Sequence, residues 1–245
     1  CLFLGAGAVL HALAGEEDMR RMGGLARKLP FTFGVFLLAT LALCGLPPFA
    51  GFFSKDEILW SAWAAPGGSP GLWLVGSVAS FLTAFYMFRA VFMTFHGEPR
   101  TAFDTATAGH HHAAGDDPHG HGAHPGPHES PWTMTLPLAV LAIGAVVAGW
   151  VGIPELLGGG DRFHRFLAPV LAKLADLHAE HGELAVGTAW LLLLASVAVG
   201  LAGIAYAFAL YGRRFDGGRV WAERFPALHR ALENKYWVDE LYDAA

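Results

Sequence analysis

Charge is scarce in this chain. Asp, Glu, Lys and Arg make up 15% of its 245 residues, where a soluble globular domain carries about 25%. With 54% hydrophobic residues and a mean hydropathy of +0.41, the composition excludes an ordinary soluble domain and assigns the chain to the membrane class. Basic blocks are absent too. The net charge is −5, and no cationic run is long enough to hold nucleic acid, which is excluded as a partner. Cysteine is rare: Cys1 and Cys44 both lie in apolar runs. That excludes a disulfide framework, a thiolate metal site and an iron–sulfur cluster. No initiator Met and no charged segment ahead of an apolar one are present, so no signal peptide is expected. Gly5-x-Gly7 lacks the third glycine and the preceding strand of a dinucleotide-binding turn. No flavin or nicotinamide site is legible, and no Ser/His/Asp triad can be argued from the loops.

What the chain has is long apolar runs. A helix that crosses a bilayer needs about 20 mostly apolar residues. Four runs qualify: 30–53, uncharged; 72–95, with Arg89 as its one charge; 132–153, uncharged, with Trp132 and Trp150 as interfacial anchors; and 184–211, uncharged. Residues 1–13 read as the tail of a membrane helix already under way, so the chain is expected to be a piece of a longer protein. The predicted fold class is all-α, a polytopic transmembrane helix bundle. Alternating spans put loop 15–29, loop 97–131 and the C-terminal tail on one side, with Arg20, Arg21, Arg27, Lys28, Arg100, Arg213, Arg214, Arg219, Arg224, Arg230 and Lys235. The opposite side holds Lys55, Arg162, Arg165 and Lys173, so the first side is expected to be cytoplasmic. Two stretches, 161–178 and 219–237, repeat apolar residues at helical spacing between charges. They are read as amphipathic helices lying either on the membrane surface or on the protein's own loops. Pro169 should kink the first.

The most informative stretch is Leu46-Pro-Pro-Phe-Ala-Gly-Phe-Phe-Ser-Lys-Asp-Glu-Ile-Leu59. An apolar run is broken by two prolines and a glycine, and three adjacent charges follow: Lys55, Asp56 and Glu57. Ionisable groups beside a broken membrane helix are costly and mark ion paths or gates. The competing reading is structural: Ser54 as N-cap, a capping box with Glu57, acidic residues against the helix dipole, and Lys55 snorkelling from the outer end of its helix. His11, where the first apolar run gives way to loop, is either a proton relay or a hydrogen-bonded helix end. Arg89 either snorkels or pairs inside the bundle. Histidines 110, 111, 112, 119, 121, 124 and 128 crowd one loop. His119, His121 and His124 are spaced to hold a metal loosely, but Gly, Ala, Asp and Pro fill the gaps and fix no geometry, so a disordered loop is expected.

Gly15-Glu-Glu-Asp-Met-Arg-Arg-Met-Gly-Gly24, Leu46-Pro-Pro-Phe-Ala-Gly-Phe-Phe-Ser-Lys-Asp-Glu-Ile58, Phe88-Arg-Ala-Val-Phe-Met-Thr-Phe-His-Gly97 and Asn234-Lys-Tyr-Trp-Val-Asp-Glu-Leu-Tyr-Asp243 resemble the family of NADH-quinone oxidoreductase subunit L, the counterpart of mitochondrial complex I subunit 5. The resemblance covers most of the chain apart from 110–128 and parts of 158–187. It implies an antiporter-like proton channel built from inverted repeats with broken helices near midplane. A family lysine that precedes Leu-Phe-Leu-Gly-x-Gly, here Leu2 to Gly7, is expected upstream of Cys1. A lateral helix is expected to begin near Asp239.

The resulting expectation is a proton-translocating subunit of a bacterial inner-membrane NADH:quinone oxidoreductase. Its partners would be other membrane-arm subunits and the lipid bilayer. No cofactor is expected in this chain, with NADH, FMN, iron–sulfur clusters and quinone in partner subunits. Residues 1–96 would end the channel domain, 97–131 would form the His-rich cytoplasmic loop, and 132–245 would carry the last spans and amphipathic segments. Candidate proton-path residues are His11, Lys55, Asp56 and Glu57; weak metal candidates are His119, His121 and His124. The competing functions are a subunit of a multi-subunit cation/proton antiporter and a histidine-loop metal transporter. The spans hold few ligands for the latter.

Overall fold

A computed structural model of the chain describes residues 1–64, 67–100, 126–153, 157–160, 162–167, 169, 186–212 and 217–243. Among the described residues there is no strand. The helices in chain order are α1 (Leu2–Ala12), α2 (Pro30–Cys44), α3 (Ala50–Ala64), α4 (Pro70–Phe95), α5 (Trp132–Val147), α6 (Arg162–Leu167), α7 (Val186–Ala207), α8 (Gly217–Arg224), α9 (Pro226–Glu233) and α10 (Val238–Asp243). A 3-10 turn, Ala148–Gly152, prolongs α5, and a π turn, Phe208–Gly212, prolongs α7.

Three helical runs are long and apolar enough to cross a membrane: Pro70–Phe95, Trp132–Gly152 and Gly187–Gly212. Their outward faces are apolar, with Val75, Val78 and Leu82 on α4, Val140 and Ile143 on α5, and Leu191 and Leu194 on α7 all exposed. In water such a continuous surface would aggregate; around a helix bundle in a bilayer it faces lipid or a neighbouring span. The protein is a membrane protein.

The run 30–53 departs from the expected single span. Helix α2 stops at Cys44, and Gly45 takes the left-handed conformation (φ 73°) that closes a helix C-terminus without Cβ strain. Pro47 and Pro48 bring no N–H to continue the ladder, and helix resumes only at Ala50. The apolar run is therefore two half-length helices in series. Helix α4 covers both, running antiparallel to them. Phe33 and Phe36 of α2 meet Phe95 at 5.2 and 5.4 Å between ring centroids. On α3, Trp63 meets Trp73 edge-on at 6.0 Å, and Leu59 closes over Gly76. One 26-residue helix thus spans the length that the broken pair shares between them.

Ser54 lies inside α3, where its hydroxyl donates to the Gly51 carbonyl (3.4 Å). The expected Ser54 cap and capping box do not form, because the proline pair starts the helix at Ala50, a turn ahead of the charges. The cap of α2 comes from far along the chain instead. Glu129 Oε1 accepts the backbone N–H groups of Phe31 (2.7 Å) and Thr32 (3.2 Å), and Oε2 accepts the Thr32 hydroxyl (2.8 Å). This ties the entry of α5 to the entry of α2, and the two helices run alongside each other with Val35, Leu138 and Ala142 buried together. Helix α7 runs parallel to α4, with Phe85 against Tyr206 (5.3 Å) and Phe92 against Phe208 (5.7 Å).

At one end of the bundle, loop 15–29 is held on the exit of α4. Arg100 donates from Nε to the Met22 carbonyl (2.5 Å) and from Nη2 to Met93 (2.8 Å) and Met19 (3.4 Å). Burial pulls the Arg100 guanidinium below the ordinary arginine value. In the same loop the Arg20 side chain, hydrogen-bonded to Asp18, holds that carboxyl below the ordinary aspartate value.

The amphipathic stretch 219–237 is divided rather than continuous. Pro226 starts a new helix and restrains Phe225, which leaves the helical region at φ −128°, ψ 65°. Of the stretch 161–178, the structure describes α6 and residue 169; the remainder lies outside the described residues.

Candidate functional site: a polar cluster in the broken span

Helix α3 begins beside the end of α2, and this offset decides where its charges go. The Lys55 stem lies over Gly45, where a Cβ would stand 2.7 Å from Lys55 Cδ. Lys55 Nζ donates to the Cys44 carbonyl (3.4 Å) at the C-terminal end of α2. That carbonyl is one of the four a helix end leaves without an internal partner, and it carries the negative end of the helix dipole. One residue on, Asp56 Oδ1 accepts from the Ser196 hydroxyl of α7 (3.3 Å).

The depth of this pair follows from the packing. Continuing the Trp63–Trp73 and Leu59–Gly76 register by one turn sets Lys55 and Asp56 level with Ser80, near the middle of α4. Ser196 lies near the middle of the run 187–212. Cys44 is buried with Ala84, Met87 and Ala207, also well inside the bundle. The cluster is therefore in the interior, and the expectation that it sits at the outer end of its helix is corrected. The reason is the break: a straight helix over 30–53 would carry Lys55 to the far surface, whereas the half-helix α2 ends midway and α3 starts there.

Holding ionisable groups at this depth carries a cost. An ionised side chain at the centre of a membrane helix costs about 2.5–3.5 kcal/mol to insert. A cation at a helix C-terminus regains about 0.3–1 kcal/mol, and about 2 in favourable geometry. Lys55 thus remains a net cost, and Asp56 adds a second ionisable group with one hydroxyl to support it. Two neighbouring groups able to hold or release a proton face different helices, Lys55 toward α2 and Asp56 toward α7.

The other predicted residues are not brought to this point. Glu57 is exposed and lines a separate cleft of about 330 Å³ between α3 and the 148–152 turn, with Ser54, Phe53 and Gly149 in its walls. The Trp150 indole N–H closes that side by donating to the Pro48 carbonyl (3.0 Å). His11 is exposed in the last turn of α1. The neighbouring Val9, Ala12 and Leu13 pack with Leu29 and Phe95 at the entry of α2, about 21 Å along the helix from its Cys44 end. Among the described residues Arg89 forms no ion pair inside the bundle; its guanidinium stands 5.5 Å from the centre of the Tyr211 ring. His119, His121 and His124 lie outside the described residues. Among the described residues no three His, Cys, Asp or Glu side chains are grouped to hold a metal.

Two partners escaped the sequence reading, Ser196 and Tyr211. Ser196 is the one hydroxyl in the apolar heart of the last span, Trp190–Gly203. A single polar residue in such a run is the signal that could have found it, but nothing in the sequence says which helix it faces.

Residues 1–83 match the family described as the transmembrane part of NADH:quinone oxidoreductase and Mrp antiporter. Chain 5 of the NAD(P)H-quinone oxidoreductase of Picosynechococcus sp. is 43% identical over 256 residues, which cover 99% of this chain and 36% of that protein. Subunit L of the NADH-quinone oxidoreductase of Mycobacterium tuberculosis is 44% identical over 213 residues, 86% of this chain and 29% of the relative. For subunit L of Neisseria meningitidis the figures are 34% over 250 residues, 98% and 36%. The chain belongs to the subunit L and chain 5 family. It spans about a third of the length of these relatives. The family match reaches across α1, α2, α3 and the first half of α4. The Lys55–Asp56 pair therefore lies within the part of this family member that matches the antiporter-like description, while Ser196 lies beyond it.

Proposed function

We propose that this chain is part of a proton-translocating membrane subunit of an NADH:quinone oxidoreductase, coupling quinone reduction in other subunits to proton movement. The observation that carries the reading is the interior pair Lys55–Asp56 at the break between α2 and α3. A protonated Lys55 donates to the α2 C-terminus; on losing its proton it loses that attraction and can be recharged from either side of the break. Asp56 offers a second station one residue away and toward another helix. Glu57 and His11 stand outside this pair, and their places in the path would be at its periphery. Residues 1–96 would close the channel domain, and 132–245 would carry the remaining spans. Flavin, iron–sulfur clusters, NADH and quinone would reside in partner subunits of the complex. The surrounding bilayer would be the bacterial inner membrane, with loops 15–29 and 97–131 and the C-terminal tail cytoplasmic. The description of the matching family also names Mrp antiporters, so a cation/proton antiporter subunit is the second reading.

The test uses the complete parent protein, tagged and drawn from native membranes in mild detergent. NADH:quinone activity with flavin and iron–sulfur absorbance in the eluate is the expected result. Colourless membrane partners and sodium-dependent proton movement would select the antiporter. In the assembled complex, Lys55→Ala should lower the protons moved per NADH oxidised. Full pumping by an assembled Lys55→Ala complex refutes the proton-path role.

A further inference from the structure

We infer that Ser196 is a positioning residue for Asp56, its hydroxyl turning between Asp56 and the Leu193 carbonyl according to whether Asp56 carries a proton. The inference rests on the proton-path reading of Asp56 above. Two acceptors compete for one hydrogen. Ser196 Oγ is 3.0 Å from the Leu193 carbonyl of its own helix and 3.3 Å from Asp56 Oδ1. A serine hydroxyl has one O–H to donate and lone pairs with which to accept. An ionised Asp56 only accepts, and a charge-assisted bond outcompetes the neutral one, so the hydroxyl hydrogen points at Asp56. A protonated Asp56 has its own O–H, which it donates to Ser196 Oγ, and the serine hydrogen swings back to Leu193. No covalent bond of Ser196 breaks in either direction. The proton is taken up or released by the carboxyl, and the hydroxyl only changes partner.

The surroundings suit such a device. On α3 the charged neighbours are Lys55, turned to the Cys44 carbonyl, and Glu57, turned to the outer cleft. The α7 run 187–212 carries no charge of its own. The α4 face at this seam brings Ser77 and Ser80, both buried, and Ser77 Oγ has no hydrogen-bond partner. Ser196 is thus a hydroxyl through which α7 can register the charge state of α3. This sets it apart from a serine that merely bonds back to its own helix, the commonest fate of serine in a membrane helix.

The test compares Ser196→Ala, Ser196→Thr and Asp56→Asn in the complete oxidoreductase. One readout is the rate of NADH-driven proton translocation in proteoliposomes. The other is the infrared carbonyl stretch of the protonated Asp56 carboxyl, assigned by its loss in Asp56→Asn. Hydrogen bonds to charged groups are strong enough that deleting the hydroxyl should slow translocation about tenfold. Ser196→Ala should also raise the frequency of the carboxyl band, since its hydrogen-bond partner is gone, and Ser196→Thr should restore both. If Ser196→Ala does not assemble, Ser196→Cys, close in size and a weak donor, is read in the same way. An unmoved band with normal translocation in Ser196→Ala, beside an impaired Asp56→Asn, overturns the role of Ser196 and leaves the proton path standing. Normal translocation in Asp56→Asn overturns the proton path itself.

Discussion

Replacing Gly203 by alanine tests whether the seam between α4 and α7 holds the polar cluster together. A Cβ on Gly203 would stand 2.6 Å from the Phe81 carbonyl oxygen and 2.9 Å from Ala84 Cβ, where ordinary contact begins at 3.4 Å. The obstacle is backbone on one side and a short side chain on the other, so neither can rotate away. The helices must part by about 0.8 Å, and overpacking of this kind costs about 1–3 kcal/mol. Alanine regains about 0.5–1 kcal/mol in helix propensity over glycine. The net expectation is a loss of up to about 2.5 kcal/mol. Gly144 supplies the control, since a Cβ there meets nothing within 4 Å, and Gly144→Ala should be neutral or stabilising by up to about 1 kcal/mol. The assay is unfolding of the purified full-length subunit in mixed detergent–SDS micelles, followed by circular dichroism. Ser196 lies two turns from Gly203 on the same helix, so parting the helices also stretches the 3.3 Å bond to Asp56, and proton translocation should fall with stability. Equal stabilities for Gly203→Ala and Gly144→Ala would refute the close packing of α4 on α7.

Tyr211→Leu should destabilise the subunit by about 0.5–2 kcal/mol, because it removes the ring face beneath the Arg89 guanidinium, while Tyr211→Phe keeps the ring and should stay within about 0.5 kcal/mol; SDS unfolding distinguishes them. Glu129→Ala should cost about 1–2 kcal/mol by uncapping Phe31 and Thr32, visible as faster hydrogen exchange at the first turn of α2. Asp18, held below the ordinary aspartate value by Arg20, binds fewer protons folded than unfolded, so its contact is fully present above the ordinary value and lost as pH falls through the lower folded one. Loop 15–29, followed by limited proteolysis, should therefore be better protected near neutrality in the parent than in Asp18→Asn, and the difference should vanish as pH falls below the Asp18 range.

Much of the fold was legible because apolar runs of bilayer length have few alternatives to helix. The observed Pro70–Phe95 and Trp132–Gly152 lie close to the expected 72–95 and 132–153. The break at Pro47–Pro48 was legible as a break, since proline removes a donor wherever it falls. Its consequence was not. Where the second half starts beside the end of the first, and so how deep its charges lie, depends on tertiary packing, here Gly51 against Ala42, Leu59 on Gly76 and Trp63 on Trp73. The division of 219–237 by Pro226 follows from the same rule, although the apolar spacing runs unbroken across it.

Composition and the order of apolar runs by themselves determined the class of this protein, its helices and the presence of Lys55 and Asp56 beside a break, because hydrophobicity and the lack of a proline N–H act locally and in any context. Only the tertiary structure decided that Lys55 meets the end of α2, that Asp56 meets Ser196, and that Arg89 meets Tyr211. These partners lie 11, 140 and 122 residues apart in the chain, and only the packing of α3, α4 and α7 brings them within reach.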